Sequence, residues 1–574
     1  MKSLTGLDAT FLYLETLEMP MHVGTFNLCE LPQGFKGSFH AAVTEHMAKR
    51  LHLAPVFSRK LVFMPLDLGH PLWVEADSVD IAFHIRPAEP ARAKPAKKSS
   101  EPMTLEAAQE RCAQLHSVLI DRNYPLWEFY VFDRIKLPES MGGKVVGGFF
   151  SKIHHAALDG KGGVMLANAL LDLTSIPRAV PPPDPSKKRV KQADLKIGAM
   201  LGSVFSSSLG QLMKAAKALP SAVVAVSTTL AKSSPKNAAV ISRIKLPIQL
   251  APTTAFNAGV GTERVFVTAT VPLAECKAIG KAIGGSTGGS FNDIVLWICS
   301  TALRNYLLQH HSLPKKSLVA AMPVSLRDAG EGGNKDASHL GNQVSMTLVE
   351  LGTHLAHPLK RMNAIMASTA KVKTSMHNLK GLLPTDYPSL LAPWLVGGAA
   401  KIALNAYGKL GSGGLASKLP VMANVVISNV PGAPVPLYLA GAQLLSFHPT
   451  SIIMHGLGLN ITVQTYAGRV DFGIVADKKA LPHANDFAKA IEAAFAEAAE
   501  LMKAELPHAK PAVAKATSRI KLEATLSEKA RPRRDTLMKL KQPLTPNAPS
   551  HGKPVVKKIT KRQNTKQASK QAAE

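Results

Sequence analysis

His154-His155-Ala156-Ala157-Leu158-Asp159-Gly160 joins an apolar segment to a glycine-rich turn, and the interpretation of the whole chain starts from it. Residues 145–153, which precede it, are rich in β-branched and aromatic side chains and predict a strand. Residues 164–171, which follow it, have the composition of a buried helix. The sequence therefore predicts a strand, a turn and a helix, with both histidines at the carboxyl end of the strand.

The two histidines are not expected to act together. Successive side chains of a strand point to opposite faces, so His154 and His155 reach one cavity only if the strand has already ended. One imidazole is therefore expected to be active and the other structural. A neutral imidazole takes a proton from a hydroxyl or thiol, which is the step that acyl transfer to an alcohol needs. Asp159 either orients an imidazole or anchors the turn through a basic partner.

Two other interpretations of the histidine pair compete with acid–base chemistry. A single histidine on an apolar strand is commonly an ordinary core or surface residue, but the pairing with Asp-Gly at this spacing favours function. A metal site would need a third ligand that the motif does not supply, and neighbouring strand histidines diverge. No bound metal is therefore expected.

The pattern His154-His155-x-x-x-Asp159-Gly160 is the HHxxxDG signature of the CoA-dependent acyltransferase superfamily, and its surroundings resemble the bacterial wax ester synthase/acyl-CoA:diacylglycerol acyltransferase family. Other blocks resemble the same family in the same order, up to about residue 500. Residues 7–12 followed by 20–24 are similar to the amino-terminal strand and turn of the family. The other blocks are residues 125–128 (PLW block), 291–296 (ND block), 323–327, 341–343 and 428–432. So many ordered blocks are hard to obtain by chance.

The resemblance implies a role for each motif residue. His155 is expected to be the general base that removes the proton of the acceptor hydroxyl as its oxygen attacks the thioester carbonyl of acyl-CoA. No covalent acyl-enzyme is required, because the thiolate is a competent leaving group. His154 is expected to fix the end of the strand, Asp159 to hold the loop through a basic partner, and Gly160 to allow the turn.

Residues outside the motif complete the predicted site. Asn292 is a candidate donor to the acceptor oxygen or the developing oxyanion, or else a helix cap. Pro125, Leu126 and Trp127 are expected to shape the wall of the substrate channel. Lys161 stands where the family often has a small hydroxyl residue, and it adds a charge that could meet a phosphate of CoA. No cofactor is implied beyond acyl-CoA as co-substrate.

The 574 residues exceed one ordinary domain. The resemblance implies an α/β (α+β) fold of two chloramphenicol acetyltransferase-like domains, each a mixed β-sheet flanked by helices. Only the first domain is expected to keep the histidine pair. The expected boundaries are residues 1–178 for the N-terminal domain, 179–260 for a proline-rich and helical connector, 261–506 for the C-terminal domain, and 507–574 for a disordered basic tail.

Local patterns predict the elements of both domains. Helices are predicted at residues 37–49, 105–119, 272–283 and 292–308. Strands are predicted at residues 60–65, 72–75, 264–271, 317–323, 344–351, 421–428, 461–466 and 469–475, the last two forming a hairpin around Ala467-Gly468. In the connector, apolar residues between 197 and 216 recur at helical spacing, and that helix either packs across both domains or lies on a membrane or lipid-droplet surface.

Charge is concentrated in the tail. The chain carries a net charge of +28, and residues 507–574 hold 17 basic and 4 acidic residues with almost no aromatic side chains. Such a segment offers too little apolar surface to fold. Its basic runs suit an anionic lipid surface, non-specific nucleic-acid binding or simple solubilisation, and the sequence does not choose among them.

The cysteine content, the aromatic content and the apolar runs of the sequence predict where in the cell the protein is found. Four widely spaced cysteines predict free thiols in a reducing cytoplasm, and aromatic residues at 5% argue against a stacking surface for single-stranded nucleic acid. No signal peptide and no apolar run of the roughly 20 residues that a spanning helix needs are found. The protein is expected to be cytoplasmic and peripheral at the inner membrane or at lipid inclusions.

These observations predict an O-acyltransferase that transfers a long-chain acyl group from acyl-CoA to diacylglycerol, to a fatty alcohol, or to both. Two alternatives remain. One is a related acyltransferase of the superfamily that takes its acyl group from a carrier protein. The other is a non-catalytic protein that binds lipid droplets or nucleic acid through its tail.

Overall fold

A computed structural model describes residues 2–63, 70–89, 101–158, 162–184, 251–283, 288–325, 344–379 and 421–505. The strands in these ranges are β1 (Lys2–Ser3), β2 (His22–Glu30), β3 (Arg59–Val62), β4 (Leu72–Glu75), β5 (Ile85–Pro87), β6 (Met103–Thr104), β7 (Trp127–Lys136), β8 (Val145–His154), β9 (Arg264–Pro272), β10 (Val319–Ser325), β11 (Val344–Glu350), β12 (Val425–Val430), β13 (Tyr438–Leu439), β14 (Ala442–Leu444), β15 (His448–Thr450), β16 (Leu459–Tyr466) and β17 (Arg469–Asp477).

Helices cover the sheets formed by these strands. The α-helices are α1 (Gly6–Leu14), α2 (Phe39–Ala48), α3 (Ile81–His84), α4 (Leu105–His116), α5 (Gly162–Leu170), α6 (Leu273–Ile283), α7 (Phe291–Gln309), α8 (Pro358–Leu379) and α9 (Ala484–Glu505). Short 3₁₀ turns occur at Leu51–Leu53, Pro55–Phe57, Glu139–Met141, His155–Ala157 and Ala255–Asn257. Among the helices that the structure describes, none is both long enough and apolar enough to cross a membrane.

Two mixed sheets and a small three-stranded sheet organise the described residues. The first large sheet has the order β13-β14-β2-β8-β7-β5, with β15 also paired to β2 and β6 to β7. The second has the order β11-β10-β12-β16-β17-β9, and the small sheet has the order β1-β4-β3. The predicted mixed α/β architecture is confirmed.

Strands from late in the chain complete the first sheet. Gln443 of β14 pairs with Glu30 of β2, and His448 of β15 pairs with Phe26 of the same strand. The first sheet therefore draws on both halves of the sequence. The domain boundaries given above stay a prediction.

The strand β8 lies at the centre of the first sheet, between β2 and β7, and is buried on both faces. Phe149 packs into one hydrophobic cluster with residues of α2, and Phe150 packs into another with residues of α4. A strand covered on both faces reads as a continuous apolar run, as residues 145–150 do before Ser151 and Lys152 interrupt it. This burial holds the carboxyl end of β8, where the histidines lie, in a fixed position.

The segment 7–12 is a helix, so the prediction of an amino-terminal strand there is wrong. Thr5 caps α1, because its Oγ1 accepts a hydrogen bond from the backbone N–H of Asp8 at 3.1 Å. A Thr at the N-cap with an acid three residues later is a helix-start signal. The first long strand begins only at His22.

Most other predicted elements are confirmed to within a few residues. The hairpin between β16 and β17 turns at Ala467 and Gly468, whose φ angles of 43° and 83° suit a tight hairpin turn. The strand β7 was not predicted, although residues 127–132 are all buried in it. The apolar stripe of the connector, the blocks at 326–327 and 341–343, and the basic tail lie outside the described residues.

Candidate active site

The strand β8 ends at His154, and His155 opens a 3₁₀ turn. The backbone N–H of His154 donates to the carbonyl of Leu126 at 3.0 Å, and that of His155 donates to the carbonyl of Met21 at 2.8 Å. The change of backbone conformation between the two residues sends their imidazoles to different surroundings. The two side chains diverge as predicted, but the end of the strand separates them and not alternation along it.

His155 lines a cavity of about 610 Å³. Its ring stacks on Phe11, with the ring centroids 3.9 Å apart and the planes 19° from parallel. Its Nδ1 is buried. Burial lowers the pKa of His155 to about 4, with a further lowering by His154 and an opposing contact to its own backbone. The ring is therefore neutral near pH 7 and able to accept a proton.

His154 is fully buried and points away from the cavity. Its Nδ1 accepts a hydrogen bond from the backbone N–H of Ala156 at 3.1 Å. That Nε2 lies 3.2 Å from Oε2 of Glu15. The contacts of His154 thus fix the turn on which His155 sits.

Glu15 is a site residue that the sequence analysis missed. Its Oε2 accepts from the backbone N–H of Met21 at 3.0 Å, and its Oε1 accepts from Nη2 of Arg122 at 2.8 Å. Burial alone would raise the pKa of Glu15, but the hydrogen bonds and charges of His154, Arg122 and Met21 outweigh it and bring the pKa to about 2. We call Glu15, Met21, Arg122 and His154 the Glu15 clamp.

The Glu15 clamp contains one histidine of the motif and contacts the other. Within it the carboxylate of Glu15 contacts His154, and the carbonyl of Met21 accepts a hydrogen bond from the backbone N–H of His155. Glu15 follows α1 and lies far from the motif in sequence, so only the folded chain brings the two together. A glutamate in a mostly apolar segment, with Glu18 three positions later, matches no motif that would signal this role.

The cavity wall is apolar with a few hydroxyl and amide groups. It is built by β2, β8, α5, β16 and the segments around β12 and β15. Among the described residues that line it, no side chain carries a charge at neutral pH. The polar lining residues apart from His155 are Thr25, Asn27, Ser151, Asn168, Ser428, Thr450, Ser451, Thr462, Gln464 and Tyr466.

The last two motif residues and the lysine after them are outside the described ranges. Asp159, Gly160 and Lys161 lie outside the described residues, so the predictions for them stay predictions. The helix α5 begins directly afterwards at Gly162, and Gly163 belongs to the cavity wall.

Asn292 lies exposed in the first turn of α7, where its Oδ1 accepts a hydrogen bond from Nδ2 of Asn429 at 2.6 Å. The helix is capped by Ser290 and Asp293 instead, whose side chains and backbone N–H groups satisfy each other. Asn292 does not occur among the described residues that line the cavity, but Asn429 directly follows the cavity residue Ser428. The structure therefore places Asn292 against Asn429 of β12, which stands between the cavity residues Ser428 and Val430 but is not among the described residues that line the cavity.

Pro125, Leu126 and Trp127 lie in the core and are not among the residues that line this cavity. Trp127 is completely buried, and its Nε1 donates to the carbonyl of Phe57 at 3.1 Å. Leu126 packs in the same cluster as Ala156 and accepts the backbone hydrogen bond of His154. In place of the predicted channel wall, this block supports the histidine turn from behind, because its strand β7 pairs with β8.

A buried ion pair reinforces the same two strands. Lys152 of β8 is completely buried, and its Nζ lies 2.8 Å from Oε2 of Glu128 on β7. The ammonium also donates to the carbonyls of Leu115 and Val118, at the end of α4 and just beyond it. This pair, which the sequence analysis did not identify, ties the sheet to α4 two residues before His154.

The comparisons with known proteins agree with this architecture. Residues 4–295 match the family described as the wax ester synthase/diacylglycerol acyltransferase catalytic domain, and residues 340–498 match the WS/DGAT C-terminal domain. A putative diacylglycerol O-acyltransferase of Mycobacterium tuberculosis is 32% identical over 500 residues, which cover 86% of this chain and 98% of that protein. The O-acyltransferase WSD of Acinetobacter baylyi is 29% identical, with 84% and 93% of the two chains covered.

A solved structure supports the fold. The wax ester synthase/diacylglycerol acyltransferase of Marinobacter aquaeolei VT8 matches with a TM-score of 0.59 and 24% identity, covering 88% of this chain and 100% of that one. The family match and the relatives together settle the classification: the chain belongs to the wax ester synthase/diacylglycerol acyltransferase family.

Proposed function

We propose that the protein transfers a long-chain acyl group from acyl-CoA to the hydroxyl of diacylglycerol, of a fatty alcohol, or of both, with His155 as general base. The observation that carries the proposal is a neutral imidazole on the wall of an apolar cavity whose described lining bears no charge at neutral pH. Such a wall suits alkyl chains and an uncharged acceptor. The printed names of the relatives, diacylglycerol O-acyltransferase and wax ester synthase, support these two acceptors.

The chemistry needs one proton acceptor. Nε2 of His155 takes the proton of the acceptor hydroxyl while the oxygen attacks the carbonyl carbon of the thioester. The tetrahedral intermediate collapses by breaking the carbon–sulfur bond, and the imidazolium returns the proton to the departing thiolate. The products are the ester and free CoA, and no covalent acyl-enzyme forms.

The surrounding residues position this base. The Glu15 clamp fixes the turn through His154 and Met21, and Phe11 stacks on the ring of His155. Asp159 and Gly160 are proposed to hold and shape the loop that follows. Asn292 is proposed to act through Asn429 at the edge of the cavity, as a donor to the acceptor or to the oxyanion.

The organisation proposed for the chain follows the resemblance. We infer an N-terminal domain at 1–178, a connector at 179–260, a C-terminal domain at 261–506 and a basic tail from 507. We also infer peripheral association with a membrane or with lipid inclusions, since the proposed substrates are water-insoluble. Non-specific nucleic-acid binding by the tail is the competing use of its 17 basic residues.

The test uses purified full-length protein in detergent with radiolabelled palmitoyl-CoA and either dioleoylglycerol or hexadecanol. Ester and free thiol are expected to form in equal amounts with at least one acceptor. Turnover of a palmitoylated carrier protein without turnover of palmitoyl-CoA would support the alternative donor. If no donor yields ester, the enzymatic proposal is overturned.

A further inference from the structure

Exposed apolar side chains border one side of the cavity. They belong to α5, to the loop that follows it, to the last residue of β12 and to the segment that follows β12. Their exposed fractions are 44% for Met165, 72% for Leu173, 78% for Ile176, 40% for Val430 and 46% for Val435. We call these five residues the apolar rim.

The apolar rim is continuous with the cavity wall. Val430 itself lines the cavity, and Met165 and Leu173 flank the lining residues Leu166 to Leu171. Two backbone hydrogen bonds of 2.8 Å between Asp172 and Tyr438 bring the loop at 173–176 beside the segment at 430–437. An alkyl chain that leaves the cavity on this side therefore meets apolar side chains first.

Hydrogen bonds hold the loop at residues 173–176 in place. The buried carboxylate of Asp172 accepts two hydrogen bonds from Nη2 of Arg50, at 2.8 and 3.0 Å, and one from Nη1 of Arg178 at 3.1 Å. The hydroxyl of Thr174 donates to the carbonyl of Ile176 at 3.0 Å. Leu173 and Ile176 are thus presented to solvent by an anchored loop and not by a frayed end.

We propose that the apolar rim docks onto the surface of a neutral lipid phase, so that the acceptor enters the cavity without crossing water. This inference rests on the proposed function, which gives the cavity a lipid substrate. Contiguous exposed apolar side chains beside a binding cavity mark an interaction site. A lipid surface is the partner that accepts such side chains without matching hydrogen bonds.

Charge distinguishes this docking from binding by the basic tail. Residues 430–437 contain no ionisable side chain, and Arg178, the single basic residue between 171 and 183, is paired with Asp172. Docking by the apolar rim is therefore expected to need no anionic lipid and to survive high salt. Binding by the tail depends on anionic lipid and is screened by salt.

The test is flotation of the full-length chain with phosphatidylcholine vesicles that contain dioleoylglycerol, at about 0.5 M NaCl, where the Debye length is only about 4 Å. Wild type is expected to float with the vesicles. The double variant Leu173→Ser/Ile176→Ser is expected to bind about tenfold more weakly or worse, because two exposed apolar side chains no longer insert. The matched control is Leu17→Ser, on the loop after α1, where Leu17 is 65% exposed.

Two further measurements distinguish a loss of docking from a folding defect of the variant. The double variant should keep its turnover of detergent-dispersed hexadecanol, and Leu173→Trp/Ile176→Trp should bind the vesicles more tightly than wild type. Unchanged flotation of the serine variant overturns the proposal, as does wild-type binding that requires anionic lipid and is lost in salt. If the serine variant instead dissociates a dimer, a second copy occupies the apolar rim. Failure of the proposed function would appear separately, as wild type without turnover in detergent.

Discussion

Replacing Glu15 by glutamine is expected to loosen the turn that carries His155. The substitution keeps the size of the side chain but removes the charge that meets Arg122 and His154. The amide of glutamine has only one acceptor oxygen. It cannot accept from both Met21 and Arg122, so the variant leaves at least one buried donor unsatisfied.

The magnitude follows from the pKa of Glu15, which lies at about 2 in the folded protein against 4.5 ordinarily. At 1.36 kcal/mol for each pKa unit, the ionised carboxylate contributes about 3 kcal/mol to folding. Its side chain is only 2% exposed, so little of this is lost to solvent screening. Because the folded pKa is depressed, the contribution is present above about pH 4.5 and disappears as the pH falls toward 2.

Urea unfolding of wild type and Glu15→Gln over this pH range measures the effect. The difference in unfolding free energy should be about 3 kcal/mol at pH 7 and should shrink below pH 4.5. The kcat should fall about 10- to 100-fold with a smaller change in KM, since Glu15 does not line the described cavity. Glu30→Gln, at a half-exposed pair with Lys144, is the control and should change stability by less than about 1 kcal/mol. Equal stability of Glu15→Gln and wild type at pH 7 would refute the reasoning.

Three further predictions concern the site and its support. With the pKa of His155 at about 4, kcat/KM should be flat between pH 6 and 8, because the ring is about 99% unprotonated at pH 6; a midpoint near pH 6.5 in the pH–rate profile would speak against this. Lys152→Met should lower the unfolding free energy by about 1–3 kcal/mol, because Glu128 loses the cation 2.8 Å away and keeps Arg86 at 2.9 Å, and simultaneous Glu128→Leu should recover part of it in the same urea assay. Asn292→Ala should lower kcat and leave thermal stability within about 0.5 kcal/mol, since the side chain is exposed; a kcat equal to that of wild type would remove Asn292 from the mechanism.

The features of the site that depend on neighbouring residues could be predicted from the sequence. Residues 145–153 predict their strand because hydrophobic clusters cover both faces of β8. The different surroundings of His154 and His155 come from the end of the strand between them and not from alternation along it. The helix at the amino terminus was missed although Thr5 and Asp8 supply its cap, because the apolar pattern of residues 7–12 was interpreted through the family resemblance.

The non-local part could not be predicted. Glu15 and Arg122 meet 107 positions apart, and nothing in either segment announces the other. The channel-wall role predicted for Trp127 rests on the resemblance of residues 125–128 to the PLW block of the family. The burial of Trp127 became evident only once β7 was seen to pair with β8. The completion of the first sheet by β14 and β15 likewise depends on pairings more than 400 residues apart.

The most direct test of the central claim is the rate of ester formation from palmitoyl-CoA and hexadecanol by His155→Gln. Glutamine can occupy the wall beside Phe11 but cannot take a proton, so the rate should fall about 10²- to 10⁴-fold while the unfolding free energy stays close to that of wild type. A rate equal to that of wild type would contradict the assignment of His155 as the base.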